Sequence, residues 1–163
     1  CIKYYKRAAK LGNLKAMLEL GSMYDEVGDE RGVYKSIKKD PKLALKYYYQ
    51  IVEKNCLIGH YAYESVLKNQ KLKLSNQTPQ KIKKIETMIK KINSKIKNYY
   101  KNPPKNDRLD ELGLTRDKII NLRRLHNAII KNDTHSIAQF LKQEVALKKI
   151  KENGLALEYL ASL

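Results

Sequence analysis

Residues 4–24 read YYKRAAKLGNLKAMLELGSMY, and their spacing decides the fold class. Ala16, Leu20 and Tyr24 recur at i, i+4 and i+8, so they share one face of a helix. Gly12 falls where a helix should stop and Asn13 where the next should start. Gly21 stands beside the stripe. In a helix interior it costs about 1 kcal/mol against Ala, a cost that makes sense if a second helix backbone needs the room. The stretch therefore reads as helix, tight turn, helix, with no strand signal.

The same unit returns 43 residues on. Tyr4-Tyr5 falls on Tyr47-Tyr48, Ala8-Ala9 on Ile51-Val52, Gly12 on Asn55 and Ala16 on Gly59. Large rings and small residues alternate at matching places, as expected of stacked helix pairs. Asp40-Pro41 reads as an N-cap followed by a first-turn proline. These signals predict helices over about 2–11, 14–27, 41–54 and 58–70. Such units bury their apolar faces only by stacking, so this short array needs a cover downstream.

The residues Tyr4, Tyr5, Ala8, Ala9, Gly12, Asn13, Ala16, Leu20, Gly21 and Tyr24 resemble the Sel1-like repeat, a relative of the tetratricopeptide repeat. Gly28, Gly32 and Val33 match the family's loop, and Asp40, Ala44, Tyr47 and Tyr48 its next helix. The resemblance covers residues 1 to about 60 and erodes by 74, where Tyr63-Glu64 stands in place of Leu-Gly and Leu67 in place of Tyr. It implies an all-α solenoid fragment and a non-enzymatic scaffold or adaptor for a protein partner. It also implies contact through the first helix of each repeat, and in the helix 14–27 Lys15, Glu19, Ser22 and Glu26 share one face away from the Ala16-Leu20-Tyr24 stripe as candidate partner contacts. Many bacterial relatives are exported or delivered into host cells, and this Lys-, Asn- and Ile-rich chain suits such a source.

Composition agrees with a folded helical chain. Of 163 residues, 42% are apolar and 31% charged, and 2 Cys are too few for a disulfide framework or a four-thiolate metal site. No apolar run approaches the ~20 residues of a membrane-spanning helix. Cys1, rather than Met, opens a helical stretch and reads as the interior of a longer chain. The net charge of +17 is uneven. Residues 1–74 carry 15 basic and 8 acidic side chains, 75–106 carry 9 and 1, and 107–163 carry 10 and 8. Lys (28) far outnumbers Arg (6), which favours loose electrostatic contact over bidentate readout.

The basic middle segment has its own order. Thr78-Pro79 predicts a helix start and Asn102-Pro103-Pro104 a stop. Between them Ile82, Ile85, Ile89, Ile92, Ile96 and Tyr99 step by 3 and 4, one apolar seam on a helix of roughly 33 Å. Lys83, Lys90 and Lys97 form one stripe beside it, Lys84 and Lys91 another, and Glu86 is the single acid. The charges that would flank a homodimeric zipper are missing, so the seam is expected to cap the repeats and leave Lys to solvent. The chain thus divides into repeats (1–74), capping helix and linker (75–106) and a helical segment (107–163).

In that last segment Thr115 can cap a helix through Ile119, Leu122, Leu125 and Ile129. Asp133 or Thr134 can cap another through Ile137, Phe140, Leu141 and Leu147, ending at Asn153-Gly154 before a short helix over 155–163. Leu125-His126 and Ala128 give a faint ankyrin-like echo over 121–161. Arg123-Arg124 stands where ankyrin repeats have Thr-Pro, and a plain helical hairpin fits better.

Chemistry is sparse. His60, His126 and His135 lack partners at ligand spacing, so no metal or cofactor is expected. Cys56, four residues before His60, reads as a small buried residue rather than a catalytic thiol. Asp25, Glu26, Asp29 and Glu30 lack calcium-loop spacing and read as a solvated loop. Nine of 12 Tyr lie within the repeats and read as packing residues rather than base-stacking platforms. No catalytic set emerges. The Lys stripes stay open between a solvated face, an acidic protein, an anionic membrane and nucleic acid. The partner's identity, the compartment and the oligomeric state are not legible.

Overall fold

The computed structural model describes residues 2–29, 32–74, 78–139 and 142. The described chain is all-helical. Six α-helices follow one another: α1 (Ile2–Lys10), α2 (Leu14–Tyr24), α3 (Pro41–Val52), α4 (Leu57–Lys73), α5 (Pro79–Lys101) and α6 (Arg116–Ile130). A 3-10 turn at Asp110–Leu112 precedes α6, and a further helical stretch opens at residue 134.

The internal repeat is built into the backbone. α2 opens at Leu14 and α4 at Leu57, 43 residues apart. Gly12 (φ 87°) and Asn55 (φ 51°) both turn the chain through the left-handed region just before. Asn tolerates that conformation better than any other non-glycine residue, which is why it can replace Gly12 one repeat later. Asn132 (φ 52°) makes a third such turn, with Asp133 bonding back to Ala128 as Asn13 does to Ala8. The carboxylate of Asp133 then accepts the Ser136 N–H at 3.1 Å, so Asp133 is the cap. The predicted hairpin is therefore present as far as residue 139. Phe140, Leu141, Leu147, Asn153-Gly154 and the helix expected over 155–163 lie outside the described residues, and the ankyrin echo falls mostly there.

The caps explain the other boundaries. The Asp40 side chain accepts from Lys42 N–H and Leu43 N–H, Asn13 from Ala16 N–H and Thr115 from Lys118 N–H. Thr78 makes no side-chain cap, and Pro79 alone starts α5. α2 ends at Tyr24 rather than 27 because Asp25 turns its carboxylate onto the Val27 N–H at 3.0 Å. α4 runs three residues past the predicted 70, and its last residue, Lys73, is held by Glu26.

Packing follows the chain: α1 on α2, α2 on α3, α3 on α4, and then both α5 and α6 on α4. Gly21 is where α3 meets α2. A Cβ there would overlap the ring of Tyr48, which is 1% exposed, while Tyr24 stacks on Tyr47 at 6.1 Å. The main core runs from Ala9 through Leu20, Ile51 and Leu57 to Tyr99 and Ile119. A second cluster joins Val52 and Leu67 to Ile85 and Ile92 of α5. The seam of α5 thus covers the repeats as expected, with Ile85, Ile92, Ile96 and Tyr99 buried and Ile82 and Ile89 half-buried.

α4 is the centre. Ten of its residues between Leu57 and Leu67 are buried, so it has no solvent face over three turns. One of them is charged. Glu64 is 1% exposed and accepts Arg123 Nε at 2.9 Å and the guanidinium's second nitrogen at 2.8 Å, with Lys68 at 3.1 Å. The Arg123 guanidinium also lies 4.5 Å above the Tyr61 ring. This fork holds α6 against α4.

Gly21→Ala should lower stability by about 1–3 kcal/mol in a urea melt, because overpacking outweighs the roughly 1 kcal/mol gained in helix propensity. Arg123→Ala should cost about 1–3 kcal/mol, since it removes two charge-assisted bonds from a buried carboxylate and leaves it Lys68 alone, whereas the double variant Glu64→Leu/Arg123→Met should recover most of that.

Candidate functional site

Two surfaces carry the predicted contact residues. The first is the exposed side of α2. Lys15 is exposed and lines a groove of about 320 Å³ between α1 and α2, with Tyr4, Tyr5, Ala8, Asn13 and Ala16. Glu19, Ser22 and Glu26 do not join Lys15 as a bare face. Glu19 accepts the Tyr34 hydroxyl and so pins the following loop. Ser22 Oγ lies 3.4 Å from Tyr48 Oη. Glu26 stands beyond the end of α2, bonded to Lys73 and, at 3.3 Å, to Asn69.

The solvated acidic loop is corrected. Asp25 is 2% exposed and accepts the Tyr48 hydroxyl at 3.0 Å as well as the Val27 N–H. Burial raises its carboxyl above the usual range; the backbone of Val27, His126 and Tyr48 pull it down by less. Asp29 pairs with Lys39 at 2.9 Å and accepts the Tyr34 N–H at 3.0 Å. These are structural bonds that hold residues 25–29 and 32–40 to the end of α2, and Lys39 adds one to the Met23 carbonyl at 3.1 Å. Glu30 and Arg31 lie outside the described residues. Among the described residues no group of three or more His, Cys, Asp or Glu side chains could hold a metal ion.

Cys56 is fully buried at the N-cap of α4, and burial pushes its thiol up to about 11. The backbone N–H groups of Ile58 and Gly59 pull the other way without compensating. His60 is also fully buried. Its Nε2 lies 2.9 Å from Asn55 Oδ1, its ring meets Tyr99 edge-on at 6.2 Å, and its Nδ1 has no hydrogen-bond partner among the described residues. Burial and then Lys95 hold it down at about 4. His126 is buried on α6, facing the field of Asp25, whereas His135 is exposed near Gln139. The Tyr residues divide: Tyr48, Tyr61 and Tyr99 are buried, while Tyr4 is 78% exposed and Tyr49 and Tyr100 are partly so.

The second surface is α5. Lys83, Lys84, Lys90, Lys91 and Lys97 are all exposed, as are Lys81, Lys95 and Lys101 on the same helix. Glu86 is taken by Lys71 of α4 at 3.2 Å. Among the described residues none of these eight lysines forms an ion pair within 4.0 Å. The link after α5 is fixed by its own contacts: the Tyr99 hydroxyl donates to Asp107 at 2.6 Å, and Arg116 stands over the Tyr99 ring at 5.6 Å. Tyr99 is pushed up to about 12, by burial first and then by Asp107.

Sequence reasoning did not find Glu64 and Arg123 as partners. Glu64 stands where the 43-residue repeat has Gly21, but no spacing joins it to Arg123, 59 residues away. No helix among the described residues is long and apolar enough to cross a membrane. Comparison with family models, with curated proteins and with solved structures finds no match for this chain.

The low His60 value sets a pH dependence. The imidazole stays neutral in the fold and titrates near 6.5 when unfolded, so its contribution is complete above about pH 6.5 and is lost as pH falls toward about 4. Chemical denaturation at pH 7 and pH 4 should show up to about 3 kcal/mol of acid loss that His60→Gln abolishes. An unchanged difference would place the acid sensitivity elsewhere.

Proposed function

We propose that this chain is a non-enzymatic helical interaction module, related to Sel1-like scaffolds, that holds an anionic partner on the outer side of α5. The observation that carries this reading is the contrast between the two charged surfaces. Glu19, Ser22 and Glu26 are each bonded to another residue of the chain, Glu26 at the exposed surface, whereas the exposed α5 lysines form no ion pair among the described residues. A helix fixed by a buried seam presents its charges at constant spacing, which lowers the ordering cost of binding. Lys gives attraction without a planar fork, so the contact is long-ranged and salt-sensitive.

A second reading rests on the groove between α1 and α2. Its apolar floor and the exposed Tyr4 and Lys15 suit a peptide segment of a protein partner. There, charge reversal at Lys15 should matter and reversal at Glu19 should act mainly through the Tyr34 loop.

Heparin, a sulfated polyanion that is neither nucleic acid nor membrane, is a suitable probe for the leading reading. The variant Lys83→Gln/Lys84→Gln/Lys90→Gln/Lys91→Gln/Lys97→Gln should bind it at least about tenfold more weakly than the parent at roughly 100 mM salt, with an unchanged helical circular dichroism spectrum. Affinity that stays level from about 50 to about 300 mM salt would overturn the electrostatic reading.

A further inference from the structure

The outward side of α5 is not a uniform lysine carpet. At about 100° per residue, Thr87 and Ser94 fall opposite the buried seam. Both are exposed, and their hydroxyls fold back onto the Lys83 and Lys90 carbonyls at 3.0 Å each. The crest of the helix is therefore low and polar, continued by exposed Gln80 and Asn98. Lys83, Lys90 and Lys97 run down one flank at intervals of about 10.5 Å, and Lys84, Lys91 and Lys95 run down the other. Among the described residues α5 packs chiefly on α4 along its seam, and the lysine flanks and the Thr87–Ser94 crest are exposed.

Resting on the reading of α5 as an anion-docking face, we propose that its partner is double-stranded DNA, with α5 lying in the major groove. A B-form major groove is about 12 Å wide and admits a helix of about 10–12 Å across. A helix seated there meets a phosphate wall on each side and base edges beneath it. The two lysine flanks match the walls, and the low crest of Thr87 and Ser94 matches the floor. Gln80 and Asn98 can present amides to base edges, while the absence of Arg from α5 leaves little bidentate reading of guanine, so sequence discrimination is weak. An A-form RNA duplex has a major groove too narrow for such a helix. An acidic bilayer is the poorer fit. A helix lying in a bilayer surface turns apolar residues into the lipid, and this crest carries none.

The test uses the full chain and fluorescence anisotropy. The probes are a labelled 20-base-pair DNA duplex, an RNA duplex of the same sequence and vesicles containing phosphatidylserine, across about 50–300 mM KCl. The expected result is DNA binding whose log–log salt slope corresponds to about six phosphate contacts, at roughly −0.9 for each. Lys83→Gln/Lys90→Gln/Lys97→Gln and Lys84→Gln/Lys91→Gln/Lys95→Gln should each flatten that slope by about 2.7. A control of equal charge change, Lys6→Gln/Lys10→Gln/Lys42→Gln on α1 and α3, should leave it nearly unaltered. Ser94→Trp should raise the crest and weaken DNA binding about tenfold or more while sparing vesicle binding, because only a groove has walls. Equal affinity for the RNA duplex, equal loss in the control, or an indifferent Ser94→Trp would each overturn groove seating. Binding to vesicles and not to DNA would overturn this inference yet leave the anion-docking reading standing. Failure to bind DNA, vesicles and heparin alike would sink both.

Discussion

The described structure depends on one helix being covered on every side. α4 meets α3, α5 and α6, and a helix so enclosed normally carries only apolar residues. Glu64 breaks that pattern. A buried carboxylate is tolerable only with its oxygens satisfied, and Arg123 supplies two bonds in a fork with Lys68 beside it. The pair gives α6 one register on α4. Position 64 is also where the repeat pattern fails, so the change from a repeat to an enclosing tail has a definite chemical origin.

The same economy governs the acidic residues after α2. Asp25, Glu26 and Asp29 are neighbours in sequence and might have formed one negative patch. Each is instead drawn to a different element: Asp25 to Tyr48 on α3, Glu26 to Lys73 on α4 and Asp29 to Lys39 in the loop. Their charge is thereby spent on holding residues 25–29 and 32–40 to the helix ends. α5 keeps its charge for solvent, and its lysines outnumber their possible partners. Excess charge of one sign on a rigid rod is unfavourable for folding, and opposite charge from outside would relieve it.

The 43-residue repeat shows how backbone and side-chain requirements can be met by different residues. Gly12 and Asn55 share a left-handed turn but little else, and Asn13 and Cys56 share an N-cap position although only Asn13 makes the capping bond. Cys56 can stand there because the site is buried under later elements, where a small apolar residue is worth as much as a cap. Gly21 is less replaceable. The Tyr48 ring occupies the place of its missing side chain, so α2 and α3 approach more closely than two helices bearing side chains at that level could.

Much was legible from the residues alone. Periodic apolar positions, caps and left-handed turns are local properties, and they determined the all-helical class, the starts of α2, α3, α5 and α6 and the buried seam of α5. The exposure of its lysines follows from the same periodicity. What only the tertiary structure decided is which polar groups meet. Glu64 and Arg123, Asp25 and Tyr48, and Glu26 and Lys73 are separated by 59, 23 and 47 residues, and no spacing rule joins them. Helix periodicity says which face is buried. Only the arrangement of whole helices says what that face, and the charges at its edge, are buried against.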